Sequence, residues 1–212
     1  MQRRHLLHLL GALPATALLA ACGRRKAATA ALAPDARVLA IGDSLTFGHG
    51  AAPQAGWPAR LAELTGWQVE NAGINGDTSA GALARLPALL AGEPYDAILI
   101  GIGGNDMLRG VPPAATRDNL AALVDQARAH TPHVALLATP APDAMRAAIG
   151  ALSDAPFYAE VAQAQQVLLI ADVYSEVLSD AALRADRIHA NAEGYARIAQ
   201  RLAERLEAAG WR

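Results

Sequence analysis

Five short candidate strands, most of them apolar runs, punctuate the chain, at 37–41, 68–71, 97–102, 133–138 and 167–170. They read as near-continuous rather than alternating, the pattern of strands covered on both faces. Between and after them lie stretches with helical spacing, at 57–64, 79–90, 116–129, 158–165 and 191–209. Strand–helix alternation implies right-handed crossovers and a parallel sheet. The predicted fold is α/β, a flavodoxin-like doubly wound sheet of about five parallel strands with helices on both faces. The order of the strands does not follow from the pattern.

The first run, Val38-Leu39-Ala40-Ile41, leads straight into Gly42-Asp43-Ser44-Leu45-Thr46-Phe47-Gly48. A serine directly after such a strand sits at the carboxyl edge of the sheet, where open α/β sheets place their ligands. A nucleophile needs that placement, held by the strand yet exposed at the rim. Ser44 could equally serve as a helix N-cap, a position serine favours. Two loops share the same edge. One is Asn71-Ala72-Gly73-Ile74-Asn75-Gly76-Asp77-Thr78, the other Gly101-Ile102-Gly103-Gly104-Asn105-Asp106. Glycine N–H groups and asparagine amides in such loops can donate to a developing oxyanion, as can the N–H groups opening a helix after Ser44. The same residue types also make ordinary turns. No Gly-x-Gly-x-x-Gly follows the first strand and no P-loop lysine is present, which argues against a nucleotide site.

A serine nucleophile requires a base. His130 and His133 flank the fourth strand at its amino end, the wrong edge. His49 lies in the loop five residues past Ser44. His189 closes Asp186-Arg187-Ile188-His189, just before the last helical stretch. A carboxylate three residues before a histidine can reach its Nδ1, fix the tautomer and leave Nε2 for the serine. That spacing favours His189 over His49, and Asp186 as its orienting partner. A solvated Asp186 in a turn leading into a helix is the plainer alternative.

The remaining composition bears on location. Residues 1–21 have a basic start at Arg3 and Arg4 and an apolar stretch too short to span a bilayer, as in a secretory signal. The stretch closes with Leu19-Ala20-Ala21-Cys22, which resembles a bacterial lipoprotein signal with Cys22 as the residue to be lipidated. Arg3-Arg4-His5-Leu6-Leu7 also resembles a twin-arginine export signal. Cys22 is the only cysteine, so an intrachain disulfide is impossible. Residues 22–34 read as the lipidated cysteine and a flexible tether spanning roughly 20 Å. Within it, Arg24-Arg25-Lys26 can sit against anionic headgroups. By length, 35–212 forms one domain. Without Arg3 and Arg4 the chain has sixteen basic against twenty acidic groups, a balance that argues against nucleic acid as a partner. No Cys/His cluster at metal-ligand spacing is present, so neither a metal nor a cofactor is expected. A monomer is the default expectation.

Taken together, four blocks resemble those of the SGNH hydrolases, also called GDSL lipases or esterases. Gly42-Asp43-Ser44-Leu45 is similar to the nucleophile block, Gly103-Gly104-Asn105-Asp106 to the asparagine block, and Asp186-Arg187-Ile188-His189 to the Asp-x-x-His block. Gly73 falls in the family's glycine block. The resemblance implies Ser44, Asp186 and His189 as catalytic residues. It implies an oxyanion hole from the N–H groups of Ser44 and Gly73 with the Asn105 amide. Gly76-Asp77-Thr78-Ser79, Ala84-Arg85-Leu86-Pro87-Ala88-Leu89-Leu90 and Asn105-Asp106-x-Leu108-Arg109-Gly110 look like the periplasmic acyl-CoA thioesterase/lysophospholipase/arylesterase subgroup. That subgroup is single-domain and metal-free. Arg187 and Ala190 depart from a glycine and a proline common in the last block, and 138–156 does not match the subgroup's substrate loop.

The expected function is therefore a serine acyl hydrolase of the cell envelope acting on a small acyl ester or thioester. A carbohydrate acetylesterase, or a catalytically idle envelope-binding lipoprotein, is the alternative. The long segment 139–156 follows the fourth strand and so emerges at the catalytic edge, where long loops usually carry function. Met145, Ile149 and Leu152 are its candidates for an acyl groove, with Phe157 and Tyr158 just beyond. The alternatives are that these residues cover the core, or that the segment forms an extra short helix.

Overall fold

Val38 to Ile41 are fully buried, and the run that carries them is the second strand of a five-stranded parallel sheet. The computed structural model describes residues 30–212. The expected signal segment 1–21, Cys22 and most of the tether lie outside the described residues. The strands are β1 (Arg37–Gly42), β2 (Gln68–Gly73), β3 (Ala97–Gly101), β4 (His133–Leu137) and β5 (Leu168–Ile170). The α-helices are α1 (Ser44–Phe47), α2 (Trp57–Thr65), α3 (Ser79–Leu90), α4 (Gly104–Leu108) and α5 (Pro113–His130). They continue with α6 (Ala144–Ala148), α7 (Phe157–Gln165), α8 (Val173–Ser179) and α9 (Ala192–Ala208). The sheet order is β2-β1-β3-β4-β5, the flavodoxin-like order, so the order in which strands are added reverses between β1 and β3.

Alternation along the central strands sorts the core into two layers. Val38 and Ala40 of β1, Leu99 of β3 and Leu137 of β4 face α2, α8 and α9. Leu39 and Ile41, with Ile98, Ile100, Val134 and Leu136, face α3, α5 and α7. Both faces are thus covered, which is why β1, β3 and β4 read as unbroken apolar runs. β2 does not follow that reading. It lies at the edge, half of its residues are exposed and none is buried, and its sequence is largely polar. At the other edge β5 is three residues long, a short strand that offers little to pair with.

The last helix anchors one layer and orients the site. Asn191 caps it by accepting the N–H of Gly194 at 2.9 Å. Tyr195, Ile198, Ala199, Leu202 and Leu206 fall at helical spacing and are fully buried. Burying each of the Ile and Leu side chains contributes on the order of 1.5–3 kcal/mol. At the opposite, amino edge of the sheet, His133 Nε2 donates to the Ala30 carbonyl at 2.7 Å and Leu32 N–H donates to Trp211 at 2.9 Å. His130 accepts the Tyr95 N–H there. Both histidines therefore hold the scaffold at the far end of the strands. Among the described residues no helix is long and apolar enough to cross a membrane.

Candidate active site

Gly42 ends β1 where there is no room for a side chain. A Cβ there would lie 2.1 Å from Thr46 Oγ1 and 2.3 Å from the Gly101 carbonyl oxygen. The chain turns at once into α1, and buried Asp43 caps that turn by accepting the Leu45 N–H at 3.0 Å. Ser44 is the first residue of the turn. Its hydroxyl projects from the carboxyl edge, at the point where the strand order reverses. The N-cap is thus Asp43, not Ser44.

The segment leading into α9 brings the other groups to Ser44. His189 Nε2 lies 2.9 Å from Ser44 Oγ, and His189 Nδ1 lies 2.8 Å from Asp186 Oδ2. Asp186 Oδ1 accepts the N–H groups of Ile188 at 2.8 Å and His189 at 2.9 Å, so the carboxylate folds the loop that positions the ring. Ala185 N–H donates to the His189 carbonyl and closes the turn. Partial burial pushes the Asp186 carboxyl up. The two N–H donors, the ring bond and the charge of His189 together outweigh it and hold the carboxyl below its ordinary value. The His49 ring makes no hydrogen bond to the Ser44 hydroxyl; the two residues meet only through the backbone, where the His49 N–H donates to the Ser44 carbonyl at 3.0 Å. The ring lies against His189 at a centroid distance of 4.4 Å, and the His49 carbonyl accepts the Tyr195 hydroxyl at 2.7 Å.

Above these groups opens a cleft of about 670 Å³. Ser44, Asn105 and His189 lie on its wall, and the rest is mostly apolar: Leu108, Pro140, Ala141, Pro142, Leu152, Leu178 and Ile188. The segment 139–156 does form this wall, and it holds the short helix α6. Ala144, Ala147 and Ala148 turn inward, as the i, i+3, i+4 geometry of one helix face requires. Met145 and Ile149 lie off that face and are 78% and 73% exposed. Of the three expected groove residues, Leu152 lines the cleft; Met145 and Ile149 do not. Phe157 and Tyr158 are buried in the core.

The donors to a developing negative charge need one change. Gly73 N–H is already engaged by Asn71 Oδ1 at 2.9 Å. A Cβ on Gly73 would sit 2.2 Å from Phe47 N, so this glycine lets β2 pack against α1. In the turn that follows, Gly76 adopts a left-handed φ of 76° and its N–H donates to nothing among the described residues. Its carbonyl accepts Arg109 at 2.7 Å, and the next carbonyl, that of Asp77, accepts Asn105 Nδ2 at 2.9 Å. Asn105 thus spends one amide hydrogen on the loop and keeps the other. The Ser44 N–H is likewise without a partner among the described residues.

Sequence reasoning passed over the acidic floor beneath the site. Burial pushes the Asp43 carboxyl up to about 7, with smaller upward contributions from Asp77 and Asp106 against the Leu45 N–H. Arg85 holds Asp77 at 2.9 Å and donates to the Gly42 carbonyl at 3.1 Å. Asp106 accepts both the N–H and the hydroxyl of Ser79, at 2.8 and 2.5 Å. The clue was present in the polar residues of Gly76-Asp77-Thr78-Ser79 and Asn105-Asp106, which sit among apolar neighbours.

Comparison with known proteins points to one family. The model of the GDSL-like Lipase/Acylhydrolase family matches residues 40–197. Esterase TesA of Pseudomonas aeruginosa is 49% identical over 105 residues, 47% of this chain and 52% of that one. Thioesterase 1/protease 1/lysophospholipase L1 of Escherichia coli strain K12 is 43% identical over 96 residues, 43% of this chain and 45% of that one. The chain thus spans about half the length of the curated relatives it matches. Over a longer stretch, the crystal structure of TesA superimposes with a TM-score of 0.72 at 33% identity, covering 82% of this chain and 99% of that one.

Proposed function

Because this chain belongs to the GDSL-like lipase/acylhydrolase family, we propose that it is a serine acyl hydrolase that cleaves carboxylic esters or thioesters through an acyl-enzyme. One observation carries the reading: the unbroken chain of hydrogen bonds from Ser44 Oγ through His189 to Asp186, set in the wall of an apolar cleft. In this reading Ser44 attacks the acyl carbonyl while His189 Nε2 takes its proton. Asp186 holds the proton on Nδ1 and stabilises the imidazolium. The tetrahedral oxyanion is met by the Ser44 N–H, the free hydrogen of the Asn105 amide and the Gly76 N–H, the last taking the place first expected of Gly73. His189 then returns the proton to the leaving alcohol or thiol. Water, activated by the same ring, releases the acid.

The wall is mostly alanine, proline, leucine and isoleucine, with Thr139, Asp143, Arg184 and Arg187 among its polar members, and this apolar majority suits an acyl chain better than a sugar. The relatives named esterase and thioesterase/lysophospholipase support the same substrate class. For location we infer export and a lipid anchor on Cys22, on the strength of Leu19-Ala20-Ala21-Cys22 alone. Several acyl chains on one residue would hold the protein firmly.

Labelling with a fluorophosphonate probe tests the activated serine, because an unactivated hydroxyl reacts slowly. Rapid labelling of the wild type and none of Ser44→Ala is expected. A panel of acetyl, hexanoyl and decanoyl p-nitrophenyl esters, decanoyl-CoA and a lysophospholipid then ranks the substrates. An unlabelled wild type with no turnover on the whole panel would sink the proposal.

A further inference from the structure

His49, Asp186 and His189 converge although His49 lies far from the other two in the chain. The potential ligand atoms of the three side chains all lie within 4.8 Å of one another. Two of them are already in hydrogen-bond contact, His189 Nδ1 and Asp186 Oδ2 at 2.8 Å, and would part slightly to admit an ion. Four ligands held at zinc bond lengths around a tetrahedral ion stand about 3.4 Å apart. The third group must therefore close by no more than about 1.4 Å. It is free to do so: the His49 side chain is exposed, and its ring makes no hydrogen bond among the described residues. Its backbone, by contrast, is pinned by Tyr195, so the ring pivots from a fixed point beside His189.

From this convergence we propose that His49, Asp186 and His189 form an inhibitory site for a divalent ion of the Zn2+ class. Two imidazoles and one carboxylate are the donor set such ions favour, with water completing the tetrahedron. The consequence for His189 does not depend on which ring nitrogen is taken. An ion on Nε2 occupies the lone pair that faces Ser44. An ion on Nδ1 forces the remaining ring proton onto Nε2, which can then only donate to Ser44 and cannot accept its proton. In both cases the ring ceases to be a base, and no bond to substrate is made or broken by the metal. His49 supplies the additional affinity that Asp186 and His189 alone would lack.

The inhibitory consequence rests on the assignment of His189 as the base, while the binding itself does not, so the two are measured apart. Binding of Zn2+ is followed by calorimetry, and binding of Co2+ by its visible absorption, in wild type, His49→Gln and Ser44→Ala. Wild type and Ser44→Ala should bind alike, since Ser44 is no ligand. His49→Gln should lose at least the ~10–100-fold in affinity that even an outer-shell partner of a metal site is worth. The melting temperature should rise with Zn2+ in wild type and stay flat in His49→Gln. In the ester assay Zn2+ should inhibit wild type reversibly with chelator, and His49→Gln should keep its basal rate while losing that sensitivity. Equal Zn2+ affinity in wild type and His49→Gln would overturn the site. Binding that depends on His49 without inhibition would leave the ligands standing but overturn the inhibitory role, and with it the assignment of His189 as base.

Discussion

Ser44 Oγ and His189 Nε2 lie 2.9 Å apart although 145 residues separate them in the chain. Neither residue is held there by the other. Ser44 is fixed by β1 and the Asp43 cap, and His189 by the loop that Asp186 folds and that runs into α9. Removing either side chain should therefore leave the scaffold intact and abolish turnover. Ser44→Ala and His189→Ala should each lower kcat by several orders of magnitude, and the double variant should be little worse than either, as for residues that act as a unit. His49→Gln should stay within a few-fold of wild type. Steady-state kinetics on one short ester decides this, and a larger loss in His49→Gln than in His189→Ala would reverse the roles of the two histidines.

Asn105 is oriented by its bond to the Asp77 carbonyl, which leaves its second amide hydrogen without a partner among the described residues. Replacing it with alanine should lower kcat by about 10²–10³-fold, the usual loss for one oxyanion donor, with little change in KM. A rise in KM at unchanged kcat would mean that the amide binds the ground state instead.

Chain-length preference should reside in the inward face of α6. Ala147→Phe places a ring in the cleft and should lower the decanoyl-to-acetyl ratio of kcat/KM at least about tenfold, since each buried methylene contributes about 0.8 kcal/mol. Met145→Ser and Ile149→Ser change exposed positions and should leave the ratio alone. If the serine variants flatten the preference and Ala147→Phe does not, the groove runs along the other face of the helix.

Asp43 should make stability pH-dependent in an unusual direction for a carboxylate. Its pKa in the fold is pushed up to about 7, above the ordinary 3.8, so the folded protein holds this proton more tightly than the unfolded chain does. The stabilisation is complete below the lower value and is lost as pH rises through the higher one. Asp43→Asn keeps an oxygen for the Leu45 N–H and removes the titration. Relative to the variant, wild type should lose on the order of a few kcal/mol between about pH 4 and pH 8, read from denaturant melts across that range. Parallel curves for the two proteins would show that Asp43 stays ionised.

Where the sequence was legible, it was because burial on both faces left no polar residue to interrupt a strand, as in β1, β3 and β4. The edge position of β2 could not be read, and neither could the strand order, because both depend on which crossover packs on which face. The short helices α1, α4, α6 and α8 are one or two turns long, too brief for a period to emerge. The Ser44, Asp186 and His189 arrangement was legible because the chemistry demands a carboxylate near a histidine and the loop supplies both within four residues. Gly73 was misread for a reason the sequence hides: whether a backbone N–H is free depends on its neighbours in space, here Asn71. Met145 and Ile149 were misread because size suggested a groove, whereas the phase of α6 assigned that face to alanines. The closeness of His49 to His189 is a product of the fold, since nothing in their spacing announces it.

The chain enters the fold at the amino edge, where His133 holds Ala30, and the cleft opens at the carboxyl edge. Six residues of β1 separate the two, about 20 Å of strand. Anything joined upstream of Ala30 therefore pulls on the floor of the molecule while its mouth points the other way. The point where the chain enters and the point where a ligand enters are thus assigned to opposite ends of the same strands.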